Sequence, residues 1–414
     1  VCVEMTGCPG LTKTGDAYGD KIKIDPQICV SDSYCTKIKA CPSFETVKVK
    51  NYHPTNYKNI NKDKDYGQIK EVSGVSIDSI VSKKKIWRAV VTGVGGSGVT
   101  TISRILAEAS RDLGDQYDFK FMDQKGLAQR NGRVTGHLAL HLKGTSAATV
   151  TPLGEANLLI SPDLLDGSQA INFLNEENGR GIISDDFQIP LSFILNDEAP
   201  DRDELLREVS KYNFIDLASL KAIAIKYVGK AVYQNAMILG FSYQSSLLPF
   251  SLKQLLTALE AVVPKKELEN NLNAFHIGRL LVDDPENSMF DLKEKKSDLK
   301  HYENSIEQSF PYYKSTGVML KFYNRSISRL VSYFPDIERT YLFQYVHDIF
   351  IYDRGKYIDD FLKNAGMISN TDISKSMKEI ALRTLAKTYF IKDEVFCSHQ
   401  MISPLKESRD RKEW

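Results

Sequence analysis

The sequence predicts an α/β protein built on a doubly wound, mostly parallel sheet, with a cysteine-rich segment before it and an α-helical extension after it. Three observations support this fold class. Strand-like apolar runs alternate with helical periodicity over residues 85–282, a glycine-rich stretch separates the first strand from the first helix, and five of the six cysteines lie within residues 1–41. Such alternation is typical of parallel strands covered by helices.

Composition and charge narrow the class of protein. Hydrophobic residues make up 42% and charged residues 26% of the 414 residues, as in a globular protein with a sizeable core. The formal net charge of +1 gives no reason to expect binding to nucleic acid or to a membrane surface, and no apolar run reaches the roughly 18 residues of a membrane span. The chain starts at Val1 without an initiator Met, so we expect it to be part of a longer protein. Cysteines in a long, lysine-rich chain favour a cytoplasmic location over a disulfide framework.

Four segments follow from the distribution of residue types. Residues 1–46 carry the cysteine cluster. Residues 47–84 are polar and aperiodic, as expected of a linker, although apolar residues such as Val72 suggest one docked strand or turn. Residues 85–282 form the predicted α/β domain. Residues 283–414 are charged and helical, with aliphatic and aromatic anchors at Phe322, Leu330, Phe334, Tyr345, Phe350 and Tyr357.

The cysteine spacing predicts an iron–sulfur site. Five residues separate each neighbouring pair within two runs, which are Cys2 with Cys8, and Cys29 with Cys35 and Cys41. Zinc sites usually pair cysteines two to four residues apart, whereas the proline that follows the last cysteine of each run is a feature of the bacterial ferredoxin pattern. We therefore expect a partial ferredoxin-like module that holds at least one 4Fe–4S cluster.

Two assignments of the cluster ligands stay open. In the first, four thiolates form one complete site: Cys8, Cys29, Cys35 and Cys41. In the second, Cys2 and Cys41 serve a cluster shared with cysteines upstream of the chain, and the other three hold a second cluster, with Asp32 or Ser33 in place of a fourth thiolate. The sixth cysteine, Cys397, is expected to be a small buried hydrophobic residue.

A glycine-rich turn follows the first predicted strand of the α/β domain. In TGVGGSGVTT, Gly93, Gly95 and Gly98 match the G-x-G-x-x-G template, and Gly96 lies between them. Glycines permit a tight turn and close approach of the backbone, and the N-terminus of the following helix favours an anion. Asp123 ends the next predicted strand, where a dinucleotide site places its ribose-binding carboxylate. The motif therefore predicts either NAD(P) or flavin binding, or a tight turn with nothing bound.

The polar stretch after that strand is a second candidate contact surface. MDQKGLAQRNGRV places Gln124, Gln129 and Arg130 between two predicted strands. At the carboxyl end of a strand such a loop meets a ligand or a neighbouring domain, although its composition also fits a solvated loop. In the next strand, His137 and His141 alternate with apolar residues. We expect them on a polar strand face and not as a metal-binding pair.

Together these motifs resemble the 2-oxoacid:ferredoxin oxidoreductase family, in the long fused form that oxidises indolepyruvate. The cysteine segment resembles the ferredoxin part of that form, and the helical extension, including YFIKDE at 389–394, resembles its tail. Ser97 departs from the family, whose members often carry Gln there. Five stretches resemble the γ-type domain of the family: VVTGVGGSGVTTISRILAEAS at 90–110, DQKGLAQRNGRV at 123–134, ANLLISPDLLDG at 156–167, NAMILGFSYQSSLLP at 235–249 and ENNLNAFHIGRL at 269–280.

The resemblance implies oxidative decarboxylation of a 2-oxoacid, an aryl pyruvate such as indolepyruvate, with coenzyme A as acyl acceptor and ferredoxin as electron acceptor. Thiamine diphosphate and Mg²⁺ would bind to a domain upstream of Val1, so no residue of this chain is assigned to catalysis. We expect the chain to supply the electron-exit module and a γ-type domain. Its edge at Gln124, Gln129 and Arg130 would contact the thiamine domain, within a homo-oligomer of the full-length enzyme.

Two other hypotheses remain from the sequence. One is an NAD(P)- or flavin-binding iron–sulfur oxidoreductase, supported by the glycine turn. The other is a non-enzymatic scaffold whose cysteines bind a structural metal. The visible spectrum separates the three, because an iron–sulfur cluster gives a broad band that bleaches on reduction, flavin gives two peaks, and a zinc protein is colourless.

Overall fold

The computed structural model describes thirteen stretches of the chain: residues 5–8, 10–25, 29, 32–40, 46, 69–73, 75, 86–126, 132–188, 200–284, 299–310, 316–391 and 393–413. The chain divides into two compact units. The first contains Val1–Leu11, Asp25–Thr46 and Asn56–Leu292, and the second contains Thr12–Ile24, Val47–Thr55 and Lys293–Trp414.

The described strands form a hairpin and a six-stranded sheet. In chain order they are β1 (Leu11–Asp16), β2 (Gly19–Ile24), β3 (Trp87–Val94), β4 (Tyr117–Lys125), β5 (Arg133–Leu142), β6 (Leu158–Ser161), β7 (Arg180–Ser184) and β8 (Ile215–Ala218). The order in the sheet is β4–β5–β3–β6–β7–β8. Strands β3, β6, β7 and β8 are parallel neighbours, whereas β5 is antiparallel to both β3 and β4. The predicted mostly parallel sheet is confirmed, and the antiparallel β4–β5 pair is an addition to it.

Helices cover the sheet and continue into the second unit. Those described in the first unit are α1 (Tyr34–Lys37), α2 (Val99–Ala109), α3 (Leu164–Gln169), α4 (Arg202–Val209), α5 (Leu220–Tyr227), α6 (Gln234–Gln244), α7 (Leu252–Val262) and α8 (Leu268–Asp283). Those of the second unit are α9 (Leu299–Ser309), α10 (Thr316–Tyr333), α11 (Arg339–Asp353), α12 (Ile358–Ser369), α13 (Lys375–Thr388), α14 (Glu394–Met401) and α15 (Pro404–Glu413).

The sheet has a separate apolar core on each face, as a doubly wound fold requires. Ala89 and Val91 of β3 pack with residues of α2 and α5 to α8, while Val90 packs with residues of β6 and α3 on the opposite side. Every residue of β3 is buried. The continuous apolar run that predicted this strand is therefore that of a central strand covered on both faces.

Helices α6 and α8 approach each other closely because each carries a glycine at the contact. A Cβ on Gly240 would lie 2.8 Å from the carbonyl carbon of Phe275, and a Cβ on Gly278 would lie 2.8 Å from that of Met237. Any side chain at either glycine would push the two backbones apart. These glycines thus build the helical layer that lies beside the glycine turn.

A short part of the predicted linker, residues 69–73 (the docked segment), packs on this layer. The buried guanidinium of Arg279 donates through Nη2 to the carbonyl oxygen of Lys70 at 3.2 Å, and Gln244 Nε2 donates to the same oxygen at 3.0 Å. The Tyr243 hydroxyl donates to the carbonyl of Val72 at 3.1 Å. The expected docking of this region is confirmed, and it depends on side chains of α6 and α8 that lie far along the chain.

The second unit is helical, as predicted, and has its own core. Leu330, Phe334, Tyr345 and Phe350 are buried there, whereas Tyr357 is 42% exposed and was wrongly expected to anchor the core. Within this unit the β1–β2 hairpin contributes buried side chains at its turn, and α14 presents an exposed cysteine. No helix among the described residues is both long and apolar enough to cross a membrane.

Candidate functional site

The glycine-rich stretch lies where the sequence predicts it, in the turn from β3 to α2. Gly96 and Gly98 have φ values of +98° and +93°, a left-handed conformation that side chains disfavour. Gly98 is the N-cap residue of α2, and the Gly95 amide donates to the carbonyl of Gly132 at 2.8 Å, which ties the turn to the start of β5. The predicted strand–turn–helix arrangement is therefore confirmed.

A second residue explains why position 98 is glycine. A Cβ on Gly98 would lie 2.6 Å from Cγ of Asn235, near the start of α6. Asn235 is only 3% exposed, and its Oδ1 is buried without a hydrogen-bond partner in the described part of the chain. A buried amide oxygen that lacks a donor is costly, so a donor from water, a ligand or a partner would stabilise Asn235 at this position.

Asp123 is placed differently from the carboxylate of a dinucleotide site. In the sheet β5 separates β4 from β3, so Asp123 does not lie on a parallel strand next to the glycine turn. Its Oδ1 is buried without a partner among the described residues, and a Cβ on Gly136 of β5 would lie 2.9 Å from this oxygen. The geometry gives no support to ribose binding by Asp123, whose part in a cofactor site stays a prediction.

Gln124 points to the other face of β4 and orients a buried histidine. His137 Nε2 lies 3.2 Å from Gln124 Oε1, and the amide of Thr151 donates to His137 Nδ1 at 3.3 Å. Burial and, after it, the nearby guanidinium of Arg88 lower the pKa of His137, so the ring is neutral. The exposed Gln124 side chain is thus held in one orientation by a neutral imidazole.

The expected polar-face position of the two β5 histidines is wrong. His137 and His141 are each 1% exposed, because β5 is covered on both faces. His141 Nδ1 lies 2.9 Å from the carbonyl oxygen of Leu142. The other two residues predicted for this surface, Gln129 and Arg130, lie outside the described residues.

A cleft of about 640 Å³ opens beside the glycine turn, between α2, β4 and the start of α6. Thr100, Thr101 and Arg104 line it from α2, and Asp123 and Lys125 line it from β4. Arg104 and Lys125 are exposed and have no ion pair within the described residues. Two unpaired cations beside the N-terminus of a helix make this cleft suitable for an anionic group.

The opposite wall of the cleft is a hydrogen-bonded cluster that the sequence did not single out. The Tyr233 hydroxyl donates to Glu267 Oε2, and Lys230 Nζ lies 3.3 Å from Glu267 Oε1. The hydrogen bond from Tyr233 and the charge of Lys230 lower the pKa of Glu267, so this carboxylate is ionised and its charge is balanced by that of Lys230. Asn270 Nδ2 donates to the Tyr233 hydroxyl at 2.9 Å. Only tertiary packing brings this cluster to the cleft, and no local motif marks it.

The described cysteines of the first unit, Cys8, Cys29 and Cys35, lie on short segments near the start of the chain. The amide of Cys29 donates to the carbonyl of Asp25 at 2.9 Å, and a Cβ on Gly10 would lie 3.3 Å from Cα of Cys29, which brings this cysteine close to the chain two residues after Cys8. Cys35 lies on α1. The other two predicted ligands, Cys2 and Cys41, lie outside the described residues.

The donor chemistry fits an iron–sulfur cluster, since thiolates are its usual ligands. No group of three or more Cys, His, Asp or Glu side chains is gathered for a metal within the residues described, so the structure presents no complete site. Asp32 Oδ1 accepts the amide of Tyr34 at 2.9 Å, which assigns this carboxylate to the turn before α1. The ligand set stays a prediction. Cys397, expected to be buried, is instead exposed on α14.

Comparison with known proteins identifies the domain that carries the glycine turn. The family model for pyruvate ferredoxin/flavodoxin oxidoreductase matches residues 88–281. Among curated proteins, the indolepyruvate oxidoreductase subunits IorB of Archaeoglobus fulgidus and Thermococcus kodakarensis are each 26% identical to the chain, over 190 and 201 residues. These alignments cover 46% and 47% of this chain but 92% and 95% of the relatives.

Solved structures show a similarity over the same share of the chain. The gamma subunit of a keto/oxoacid ferredoxin oxidoreductase from Geobacter sulfurreducens is 17% identical, with a TM-score of 0.34, and the match covers 47% of this chain and 98% of that one. The PORC subunit of pyruvate oxidoreductase from Thermotoga maritima is also 17% identical, with a TM-score of 0.35. Residues 88–281 thus match the pyruvate ferredoxin/flavodoxin oxidoreductase family model, and over this domain the chain is similar to the indolepyruvate oxidoreductase subunits.

Proposed function

We propose that this chain is part of a ferredoxin-dependent oxidoreductase that decarboxylates indolepyruvate, or another aryl pyruvate, to its acyl-coenzyme A thioester. The observation that carries the proposal is the similarity of residues 88–281 to indolepyruvate oxidoreductase subunits over nearly the whole length of those relatives. The enzyme would be a homo-oligomer located in the cytoplasm, a location favoured by few cysteines in a long, lysine-rich chain.

The decarboxylation itself is assigned to a thiamine domain outside this chain. Thiamine diphosphate with Mg²⁺ supplies an electron sink for the carbon chemistry when it is bound there. The present chain contributes a docking face at the glycine turn and the end of β4, with Gln124, Gln129 and Arg130 in the contact. The fixed orientation of Gln124 beside His137 supports this role, because a preorganised side chain loses little entropy on docking.

The cleft beside the turn is proposed to receive the phosphate groups of coenzyme A. Arg104 and Lys125 supply positive charge without competing ion pairs in the described chain, beside the N-terminus of α2. The opposite wall is neutralised by the Lys230–Glu267 pair, so the remaining charges of the cleft are those of Arg104, Lys125 and the Asp123 carboxylate, and the cations outnumber the anion. Such a site would hold coenzyme A, the acyl acceptor, in position and would not act as a base toward its thiol.

The cysteine-rich segment is proposed to carry electrons from the thiamine domain to ferredoxin. An iron–sulfur cluster, when bound, supplies one-electron transfer. The predicted ligands are Cys8, Cys29 and Cys35, either with Cys41 in one complete site or in one cluster while Cys2 and Cys41 serve a second. Lys221 supports a fixed position for this segment in the first unit. Its Nζ lies 3.0 Å from Asp186 Oδ2 at the end of β7 and 3.9 Å from Asp25 Oδ2, and Asp25 accepts the amide of Cys29.

The test is turnover by the intact enzyme with indolepyruvate, coenzyme A and ferredoxin. Arg104→Ala with Lys125→Ala should raise KM for coenzyme A and leave iron content unchanged, whereas Gln129→Ala with Arg130→Ala should lower kcat. Arg111→Ala is the matched control, because Arg111 is an exposed cation just after α2 that pairs with Glu108 outside the cleft. Turnover of indolepyruvate by residues 1–414 alone, or micromolar binding of NAD(H), would contradict the proposal.

A further inference from the structure

A Ser–His–Asp hydrogen-bond relay lies in the helical second unit. Ser305 Oγ on α9 is 2.8 Å from His347 Nε2 on α11, and His347 Nδ1 is 2.7 Å from Asp348 Oδ1. Both distances fall in the range expected of a nucleophile with its base and of a base with its orienting carboxylate.

The partners define the direction of each hydrogen bond. The Asp348 carboxylate only accepts, so the facing His347 Nδ1 carries a proton, and in that tautomer the Nε2 lone pair accepts the hydroxyl proton of Ser305. The imidazole is held by the ring of Tyr302, whose centroid is 5.1 Å from that of His347. Gln344 Nε2 lies within 3.5 Å of Asp348 Oδ2, so both carboxylate oxygens have a polar neighbour.

Burial favours this role. The side chains of His347 and Asp348 are 14% and 21% exposed, and that of Ser305 is half-buried. The relay is thus largely shielded from bulk water, which strengthens its hydrogen bonds, while Ser305 keeps part of its surface exposed. A serine hydroxyl that is exposed to water, by contrast, has no histidine beside it to take its proton.

We propose that Ser305 is a nucleophile that accepts an acyl group from an activated acyl donor, an ester or a thioester. Ser305 Oγ attacks the carbonyl carbon, a new C–O bond forms, and the bond from that carbon to the leaving oxygen or sulfur breaks. His347 Nε2 takes the hydroxyl proton and passes it to the leaving group, and Asp348 is the positioning residue. No electrons are exchanged with an external carrier.

The helical setting of Ser305 limits the reaction to a slow, stoichiometric one. Its own amide and that of Ile306 lie inside α9, where both are used in the hydrogen-bond ladder of the helix. The site therefore lacks the free backbone donors that stabilise an oxyanion in hydrolases. We expect acylation of Ser305 to occur once per chain, and not as rapid turnover.

The proposal is independent of the 2-oxoacid chemistry, because Ser305, His347 and Asp348 all belong to the second unit. It is tested on the full 1–414 chain with a fluorophosphonate probe, followed by peptide mass mapping, and with p-nitrophenyl acetate. We expect the probe on Ser305 and a burst of about one equivalent of p-nitrophenolate. Ser305→Ala should lose both signals.

Further variants separate a nucleophile from a structural hydrogen bond. His347→Gln should slow labelling by about 100-fold or more, and Asp348→Asn by about tenfold or more. Ser328→Ala should change nothing, because Ser328 is an exposed mid-helix serine whose hydroxyl donates to the Asn324 carbonyl. Thermal unfolding checks that each variant is folded.

Conservative replacement provides a second measurement should a variant unfold. Ser305→Cys retains a nucleophile next to His347, so iodoacetamide should alkylate position 305 faster than the exposed thiol of Cys397 in the same molecule. An unlabelled Ser305 in the wild-type chain would overturn the proposal. So would equal labelling of wild type and a folded His347→Gln chain, or alkylation of the new thiol no faster than Cys397.

Discussion

Replacing Gly98 by alanine tests the contact between the glycine turn and α6. Gly98 has a φ of +93°, and an added Cβ would lie 2.6 Å from Cγ of Asn235 and closer still to its Nδ2. The left-handed backbone costs about 1–2 kcal/mol for a residue with a side chain. Overpacking against a side chain that is 3% exposed costs about 1–3 kcal/mol more. We therefore expect Gly98→Ala to lower the free energy of unfolding by about 2–5 kcal/mol.

Two further variants separate the backbone cost from the contact. Gly96 has almost the same φ, +98°, but nothing lies within 4 Å of the position of its Cβ. Gly96→Ala should therefore cost only the backbone part, about 1–2 kcal/mol. In the double variant Gly98→Ala/Asn235→Ala the obstructing side chain is gone, so about 1–3 kcal/mol should be regained relative to Gly98→Ala.

Urea unfolding of the full chain, followed by the fluorescence of Trp87, measures these differences. Trp87 is 1% exposed and packs edge-on against Phe250 in the same core as α2 and α6. Equal losses for Gly96→Ala and Gly98→Ala would refute the reasoning. So would the absence of any recovery in the double variant, since the cost at Gly98 would then have no connection to Asn235.

Three other predictions concern the packing, the pH response and the clusters. Arg279→Met should lower the free energy of unfolding by about 2–3 kcal/mol and speed amide exchange in the docked segment, because the carbonyls of Ile69 and Lys70 lose a charged donor. The control variant Arg111→Ala should change neither quantity. Burial and then the Arg279 guanidinium lower the pKa of His276 to about 4. The folded state therefore binds fewer protons than the unfolded state between pH 4 and about 6.5. The free energy of unfolding is at its full value above pH 6.5 and falls as the pH drops through this window. We expect a loss of about 1–2 kcal/mol, since the ring is partly exposed. His276→Gln should flatten this dependence in urea titrations run across that range. After anaerobic reconstitution of the intact enzyme, Cys29→Ala and Cys35→Ala should each reduce the iron and sulfide content; unchanged iron in both would remove these cysteines from the ligand set.

Local patterns accounted for the central part of the fold. The apolar run of β3, the glycines after it and the helical spacing of α2 predicted a strand–turn–helix unit, and all three are present. Signals of this kind succeed because each depends on neighbours only a few residues apart. The helical second unit was predicted for the same reason, since the periodicity of its anchors is a local property.

Burial was predicted less well where polar residues were involved. The alternation around His137 indicated a strand correctly but suggested a polar face, whereas β5 lies inside the sheet, where Gln124 of β4 contacts the buried His137 ring. Tyr357 and Cys397 were expected inside and are exposed. A side chain's own polarity does not reveal which partners the rest of the fold brings to it.

The sequence by itself determined that a glycine turn joins β3 to α2, that a parallel α/β domain follows the cysteine runs, and that helices complete the chain. These features depend on backbone sterics and on periodicity, which are written in consecutive residues. Only the tertiary structure decided that β5 separates β4 from β3, that Asn235 lies beneath Gly98, and that Ser305 meets His347. Those contacts join residues that are many positions apart in the chain, and they arise when apolar faces pack together. Packing selects which distant side chains meet, and the residue type at either position alone does not indicate the partner.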